Sequence, residues 1–128
     1  ILVLIGVATG DTSATARAMA EKLARLRIFE GSTSEGRPTE VSVLDLDAPI
    51  LVVSQFTLMG DTSHGRRPSW SAAAKPAEAE PIFNTCVEEL RDRGLSVDTG
   101  VFGAYMAVES VNDGPFTVLV DIPSEDRS

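Results

Sequence analysis

The sequence is poor in the residues from which common structural and catalytic centres are made, with one cysteine and one histidine in 128 residues. A lone cysteine closes no internal disulfide and a lone histidine builds no multi-histidine cage. Disulfide scaffolds, zinc fingers and iron–sulfur sites are therefore excluded, no metal is expected, and packing must hold the fold. Positive charge is also scarce, since 11 Lys+Arg against 19 Asp+Glu give a formal charge of −8. A chain this acidic has no broad basic face for nucleic acid, so any RNA contact has to be local. No apolar run approaches the roughly 20 residues of a membrane span. The apolar opening, residues 1–7, lacks both the basic segment and the small-residue cleavage pattern of a secretory signal. A cytoplasmic protein without a membrane partner is the expectation.

What is present is ordinary globular material: 43% hydrophobic and 23% charged residues, with 10 Gly and 7 Pro. The length fits one domain over residues 1–128, enough to bury roughly two-thirds of the unfolded surface. Residues 1–7 form a continuous branched apolar run closed by Ala8-Thr9-Gly10-Asp11, which predicts a central strand covered on both faces. Asp11 or Thr12 then caps a helix whose apolar stripe is Ala16, Met19, Ala20, Leu23 and Leu26. Residues 26–29 leave it as a short extended piece, and 31–38 have the composition of an exposed loop.

After Pro49, residues 50–58 have strand propensity and turn polar at the far end. Residues 59–74 show no period and read as a long surface loop. A second helix over 78–93 carries Ile82, Phe83, Cys86, Val87 and Leu90 on one stripe and stops at Gly94, with Pro81 tolerable only in the first turn or at a kink. Residues 104–111 and 116–121 read as an antiparallel pair of strands joined by the turn Asn112-Asp113-Gly114-Pro115. Strand groups separated by helices make an α+β domain, and residues 123–128 should fray as a terminus.

The standard catalytic sets are excluded by inventory. His64 lies in a polar loop that suits a solvated side chain better than a general base, so a Ser-His-Asp triad is not expected. Cys86 sits on an apolar helical stripe and reads as core. Gly6-Val7-Ala8-Thr9-Gly10 has neither the dinucleotide fingerprint nor the lysine of a phosphate-binding loop, and no cofactor is indicated. Three pieces remain: Ser54-Gln55-Phe56-Thr57-Leu58 at a strand mouth, Gly65-Arg66-Arg67-Pro68 in a loop, and the Gly114-Pro115 turn. Alone they suit a solvated strand end, a solvated loop or an anion contact, and a hairpin turn.

Together, with Gly60-Asp61-Thr62, Ser69, Phe102-Gly103-Ala104 and Met106, they form an ordered set that resembles the D-aminoacyl-tRNA deacylase family nearly end to end. The resemblance implies an α+β fold with a largely antiparallel, barrel-like sheet, two main helices and a homodimer. It also implies hydrolysis of the ester joining a D-amino acid, or mischarged glycine, to the terminal ribose of tRNA, without metal or organic cofactor. Ser54, Gln55, Phe56 and Thr57 would be catalytic and would face Gly114 and Pro115 of a partner subunit, whose Gly-Pro peptide would be cis. Phe102 and Met106 would line the pocket for the terminal adenosine unless they are core, and Arg66 and Arg67, with Arg25 and Arg27, would meet the tRNA 3′ end. Either Thr57 or the ribose 2′-hydroxyl would assist attack. Family members also carry a strand pair of roughly 30 or more residues before the segment matching Ile1, which would leave this domain short of it. Met59 and Phe116 depart from the family pattern, which expects an aromatic and a smaller branched residue there. The alternative is a catalytically silent dimeric relative that binds RNA ends or a protein partner.

Overall fold

The computed structural model describes residues 1–124. The chain's longest apolar stripes become two helices, α1 (Ser13–Arg25) and α3 (Pro76–Asp92), which lie against each other. Ala16, Ala20, Leu23 and Ala24 of α1 and Ala79, Phe83, Cys86, Val87 and Leu90 of α3 are buried, and the alanines let the helices approach closely. Thr12 is the N-cap of α1, its N–H donating to Thr15 Oγ1 at 3.0 Å. α3 begins earlier than the periodicity suggests, with Pro76 in its first turn. Pro81 consequently falls in the second turn rather than the first, on the exposed side of the helix.

The helices cover a three-stranded parallel sheet of β1 (Leu2–Ile5), β4 (Ile50–Ser54) and β5 (Val97–Thr99), in the order β1-β4-β5. β4 is central, with Ile50 and Val52 almost wholly buried. β1, expected in the middle and covered on both faces, instead lies at the edge of this sheet among the described residues. Val3 and Ile5 turn toward the core, while Leu2 and Leu4 are 40% and 44% exposed. An unbroken apolar run conceals this alternation because both faces carry the same residue type. Leu2 and Leu4 border a cleft of about 1030 Å³, with Met19 and Leu23 of α1 and Val118 and Val120 across it.

Residues 31–38, expected as loop, belong largely to an antiparallel hairpin of β2 (Phe29–Ser32) and β3 (Pro38–Val41), tipped by a turn in which Gly36 takes φ +81°. A short helix α2 (Val43–Leu46) follows, capped by Ser42, whose hydroxyl accepts from Asp45 N–H at 3.0 Å.

The largest difference concerns residues 104–111 and 116–121. Both were expected as antiparallel strands, yet neither forms a ladder among the described residues. Tyr105, Val111 and Leu119 are almost fully exposed. The α+β class holds, but the main sheet is parallel rather than largely antiparallel, and no barrel closes among the described residues. Alternating apolar residues indicate that a face will be covered without saying which chain covers it. The expected fraying of the tail falls mainly on residues outside those described.

One ionic cluster ties the helices. Arg93, just past α3, donates to Glu21 Oε2 of α1 at 2.9 Å and to Glu89 Oε2 at 3.2 Å, and Glu21 also pairs with Arg25. The hydrogen bond from Arg93, then that from Arg25, holds the Glu21 carboxyl below its usual range.

Candidate active site

β4 delivers the polar motif to the surface. The strand stops at Ser54, short of the expected Leu58, because Gln55 takes φ −147°, ψ 86° and the chain folds into a 3-10 turn over Phe56–Met59. Gln55 N–H still reaches Ile5 O at 2.7 Å, and beyond it Leu58 N–H donates to Gln55 O and Gly60 N–H to Thr57 O. The N–H groups of Phe56 and Thr57 donate to no backbone acceptor among the described residues, as expected of the first amides of a helical turn. Gly6 lets the turn lie this close to β1, since a methyl there would sit 2.9 Å from Met59 Cε and 3.1 Å from Gln55 O.

Phe56 is 58% exposed and Thr57 is also exposed. The Gln55 side-chain amide donates to Thr57 Oγ1. Thr57 thus has an oriented hydroxyl whose own proton is available, and among the described residues no imidazole or carboxylate is bonded to it. Ser54, at the strand end, is half-buried.

The loop after the turn doubles back on itself. Asp61 and Ser69 exchange two backbone hydrogen bonds, at 2.8 and 2.9 Å. Ser63 Oγ donates to Asp61 Oδ1 at 2.6 Å and meets His64 Nδ1 at 2.9 Å; the bond from the Ser63 hydroxyl, then that from Ser63 N–H at 2.9 Å, holds the Asp61 carboxyl below its usual range. Here the serine stands between acid and imidazole, whereas a triad needs the imidazole in the middle. All three residues are exposed, in keeping with a solvated His64. Arg66 and Arg67 are exposed and form no ion pair among the described residues. Arg25 and Arg27 are engaged elsewhere, Arg25 with Glu21 and Arg27 with Glu40 O and Thr39 Oγ1.

Asn112, Asp113 and Phe116 border the cleft of about 1030 Å³ together with Leu58 and Met59, but neither Gly114 and Pro115 nor residues 54–57 are part of that lining. The Gly114–Pro115 peptide is cis. Asn112 Nδ2 donates to Thr117 Oγ1 and Thr117 N–H to Pro115 O, each at 3.1 Å. This turn lines a cavity of about 430 Å³ with Ile28, Phe29 and Glu30, a lining that includes none of residues 54–57. Within one chain, the Gly-Pro turn and residues 54–57 are not brought together there.

Phe102 stacks obliquely on Phe83, centroids 6.0 Å apart, and is partly buried against the core. Met106 is 37% exposed, its Sδ lying where a methyl on Gly100 would approach to 2.5 Å. Cys86 is 2% exposed and burial pushes its thiol up to about 11, as suits a core residue. Among the described residues, no cluster of His, Cys, Asp or Glu could hold a metal ion, and no helix is long and apolar enough to cross a membrane.

Sequence reasoning did not single out Trp70. Its ring meets Phe56 edge-on, centroids 5.6 Å apart at 71°. The signal was a tryptophan, the chain's only one, placed in an otherwise polar loop.

Residues 1–121 match the family model described as D-Tyr-tRNA(Tyr) deacylase. A D-aminoacyl-tRNA deacylase of Corynebacterium kroppenstedtii is 94% identical over 128 residues, all of this chain and 81% of that protein. One of Nocardia farcinica is 54% identical over 121 residues, 94% of this chain and 79% of that one. Among solved structures, the c-Myc DNA unwinding element binding protein superposes with a TM-score of 0.83 at 36% identity, over 96% of this chain and 82% of that one. A probable eukaryotic D-amino acid tRNA deacylase shares the fold, with a TM-score of 0.75 at 17% identity over 89% of this chain and 80% of that one.

Proposed function

The chain belongs to the D-Tyr-tRNA(Tyr) deacylase family, and from that premise we propose that it hydrolyses the ester between a D-amino acid, or mischarged glycine, and the terminal adenosine of tRNA. The observation that carries this reading is a family match spanning both the Ser54–Thr57 segment and the Asn112–Pro115 turn. Residues 1–128 act as one catalytic domain, working in the cytoplasm.

Water adds to the ester carbonyl, the carbon–oxygen bond to the ribose breaks, and the free amino acid and a ribose hydroxyl leave. An aminoacyl ester is already activated, so the main requirement is to stabilise the oxyanion that forms on its carbonyl. The N–H groups of Phe56 and Thr57, which donate to no backbone acceptor among the described residues, suit that task. Ser54 and Gln55 hold the turn, Gln55 by orienting the Thr57 hydroxyl. No histidine base is needed.

Gly114 and Pro115 select the substrate from a second copy of the chain. Their separation from residues 54–57 in the small cavity and the exposed apolar side chains of Val101, Tyr105 and Val111 both favour a homodimer. A rigid Gly-Pro wall admits the D-residue's amino group and leaves no room for an L side chain, so selection works by a clash against the wrong substrate. Glycine has no side chain to clash. Met106 and the exposed rim of Phe102 receive the terminal adenosine by stacking. Arg66 and Arg67 supply the local positive charge, so binding is modest and salt-sensitive.

The test is release of amino acid from matched D- and L-tyrosyl-tRNA, with Pro115→Ala beside the unaltered protein. Loss of the D-ester with the L-ester spared supports the reading, and weaker discrimination by the variant locates selection at the turn. No turnover by folded dimer would refute it.

A further inference from the structure

The 3-10 turn that carries Phe56 and Thr57 has little to hold it. All three of Phe56, Thr57 and Leu58 are exposed, and a turn of this kind has poorer hydrogen-bond geometry than an α-helix. Its entry is fixed by Gln55 N–H on Ile5 O. Its exit is Gly60, and there the Trp70 ring lies so close that a methyl on Gly60 would stand 2.5 Å from Cζ3 and 3.1 Å from Cε3. The same ring meets Phe56 edge-on, so one indole touches both ends of the turn.

The ring itself stands on firm backbone. The Asp61–Ser69 pair of hydrogen bonds fixes the residue just before it, and Ala73 N–H donates to Trp70 O at 3.0 Å. Ala74 N–H donates to Val7 O and Thr9 N–H to Ala72 O, each at 2.9 Å. The loop is thereby tied to the segment that follows β1, and Trp70 bridges from that tie to the turn.

We propose that Trp70 is a positioning residue for catalysis, clamping the Phe56–Met59 turn so that the Phe56 and Thr57 amides stay aimed at the reacting carbonyl. The inference rests on the assignment of those amides under Proposed function. Trp70 acts on the rate of the chemical step and not on substrate affinity, because a misplacement of about 1 Å in a catalytic group costs up to roughly a hundredfold in rate.

The experiment measures kcat and KM on D-tyrosyl-tRNA for the full chain and for Trp70→Ala, Trp70→Phe, Gly60→Ala and Gly60→Ala/Trp70→Ala, with thermal melts as the folding control. Trp70→Ala should lower kcat by about ten- to a hundredfold with KM unchanged, and Trp70→Phe, which keeps an aromatic ring, should recover part of that loss. Gly60→Ala should also lower kcat, because its methyl meets the indole at 2.5 Å and the Thr57 carbonyl oxygen at 3.0 Å; Gly60 has φ −64°, so alanine brings no backbone strain of its own. The double variant should lose less than the product of the two single losses, since contacting residues are non-additive. Trp70 is the only tryptophan, so its emission reports the ring directly and should shift in Gly60→Ala.

A rise in KM alone, an unchanged kcat in Trp70→Ala, or losses that multiply in the double variant would overturn the proposal. If Trp70→Ala does not fold, Trp70→Phe and Gly60→Ala decide together: lowered kcat in both, with shifted emission in Gly60→Ala, supports the clamp, and unchanged kcat in Trp70→Phe or unchanged emission in Gly60→Ala overturns it. Absence of turnover by the unaltered protein would instead overturn the catalytic assignment on which it rests, a result none of these outcomes resembles.

Discussion

Thr57→Val removes a hydroxyl, keeps the shape of the side chain, and so separates two chemistries. In the structure Thr57 Oγ1 accepts from the Gln55 amide and, among the described residues, is bonded to no base. An unactivated hydroxyl is a weak nucleophile. The variant therefore gives up one orienting hydrogen bond between neutral groups, about 0.5–1.5 kcal/mol. Gln55 is only half-buried, so water can take its freed donor. If the whole of that energy were realised in the transition state, kcat would fall about two- to thirteenfold. Loss of a true nucleophile would instead cost on the order of a millionfold, as in serine proteases. Single-turnover release of amino acid from D-tyrosyl-tRNA distinguishes these scales. A loss beyond about a thousandfold, or an amino acid found covalently on the unaltered chain after acid quench, would show that Thr57 attacks and that the amide-centred account is wrong.

Three further outcomes follow from the packing and the charges. Leu90 is 0% exposed, so Leu90→Ala should cost about 2–5 kcal/mol in urea unfolding at unchanged m; a cost under about 1 kcal/mol would mean the site collapses around the gap. With its thiol at about 11 rather than 9.0, Cys86 is about 0.1% thiolate at pH 8 instead of about 9%. Ellman's reagent should accordingly label the folded chain at least about a hundredfold more slowly than the chain in guanidinium, and equal rates would contradict the burial. The Glu21 carboxyl is depressed below 4.5, chiefly by Arg93, so its stabilisation is present above pH 4.5 and disappears as pH falls through the lower folded value. Arg93→Ala should flatten that acid limb in melts between pH 5 and 3, and an unchanged slope would show the pair to be inert.

The sequence announces whatever rests on long apolar periodicity. The stripes Ala16–Leu23 and Phe83–Leu90 are the buried faces of α1 and α3, and the Ile50-Leu51-Val52-Val53 run is the central strand. It is silent about β2 and β3, whose Glu, Gly, Ser, Pro and Thr make a hairpin through backbone pairing with no apolar run to mark it. The capping box of Ser42 and Asp45 was readable in principle. Residues 104–121 misled because their strand-like alternation demands a covering face, and this chain supplies no ladder for them among the described residues. At the site, Ser54 to Thr57 and Gly114-Pro115 were legible as motifs. The end of β4 at Ser54 and the contact of Trp70 with Phe56 and Gly60 were not, because both depend on where a loop returns in space.

The parallel pairing of the sheet also orders events in time. Leu2 registers with Leu51 and Ile50 with Val97, so each junction joins segments about fifty residues apart, and the entropy of closing such loops must be met before either ladder rewards it. Helices α1 and α3 gain most of their bonds locally and can form first. The polar turn after Ser54 hangs from the strand that needs both closures. During refolding, helical signal should therefore appear ahead of esterase activity, which awaits the last closure of the sheet.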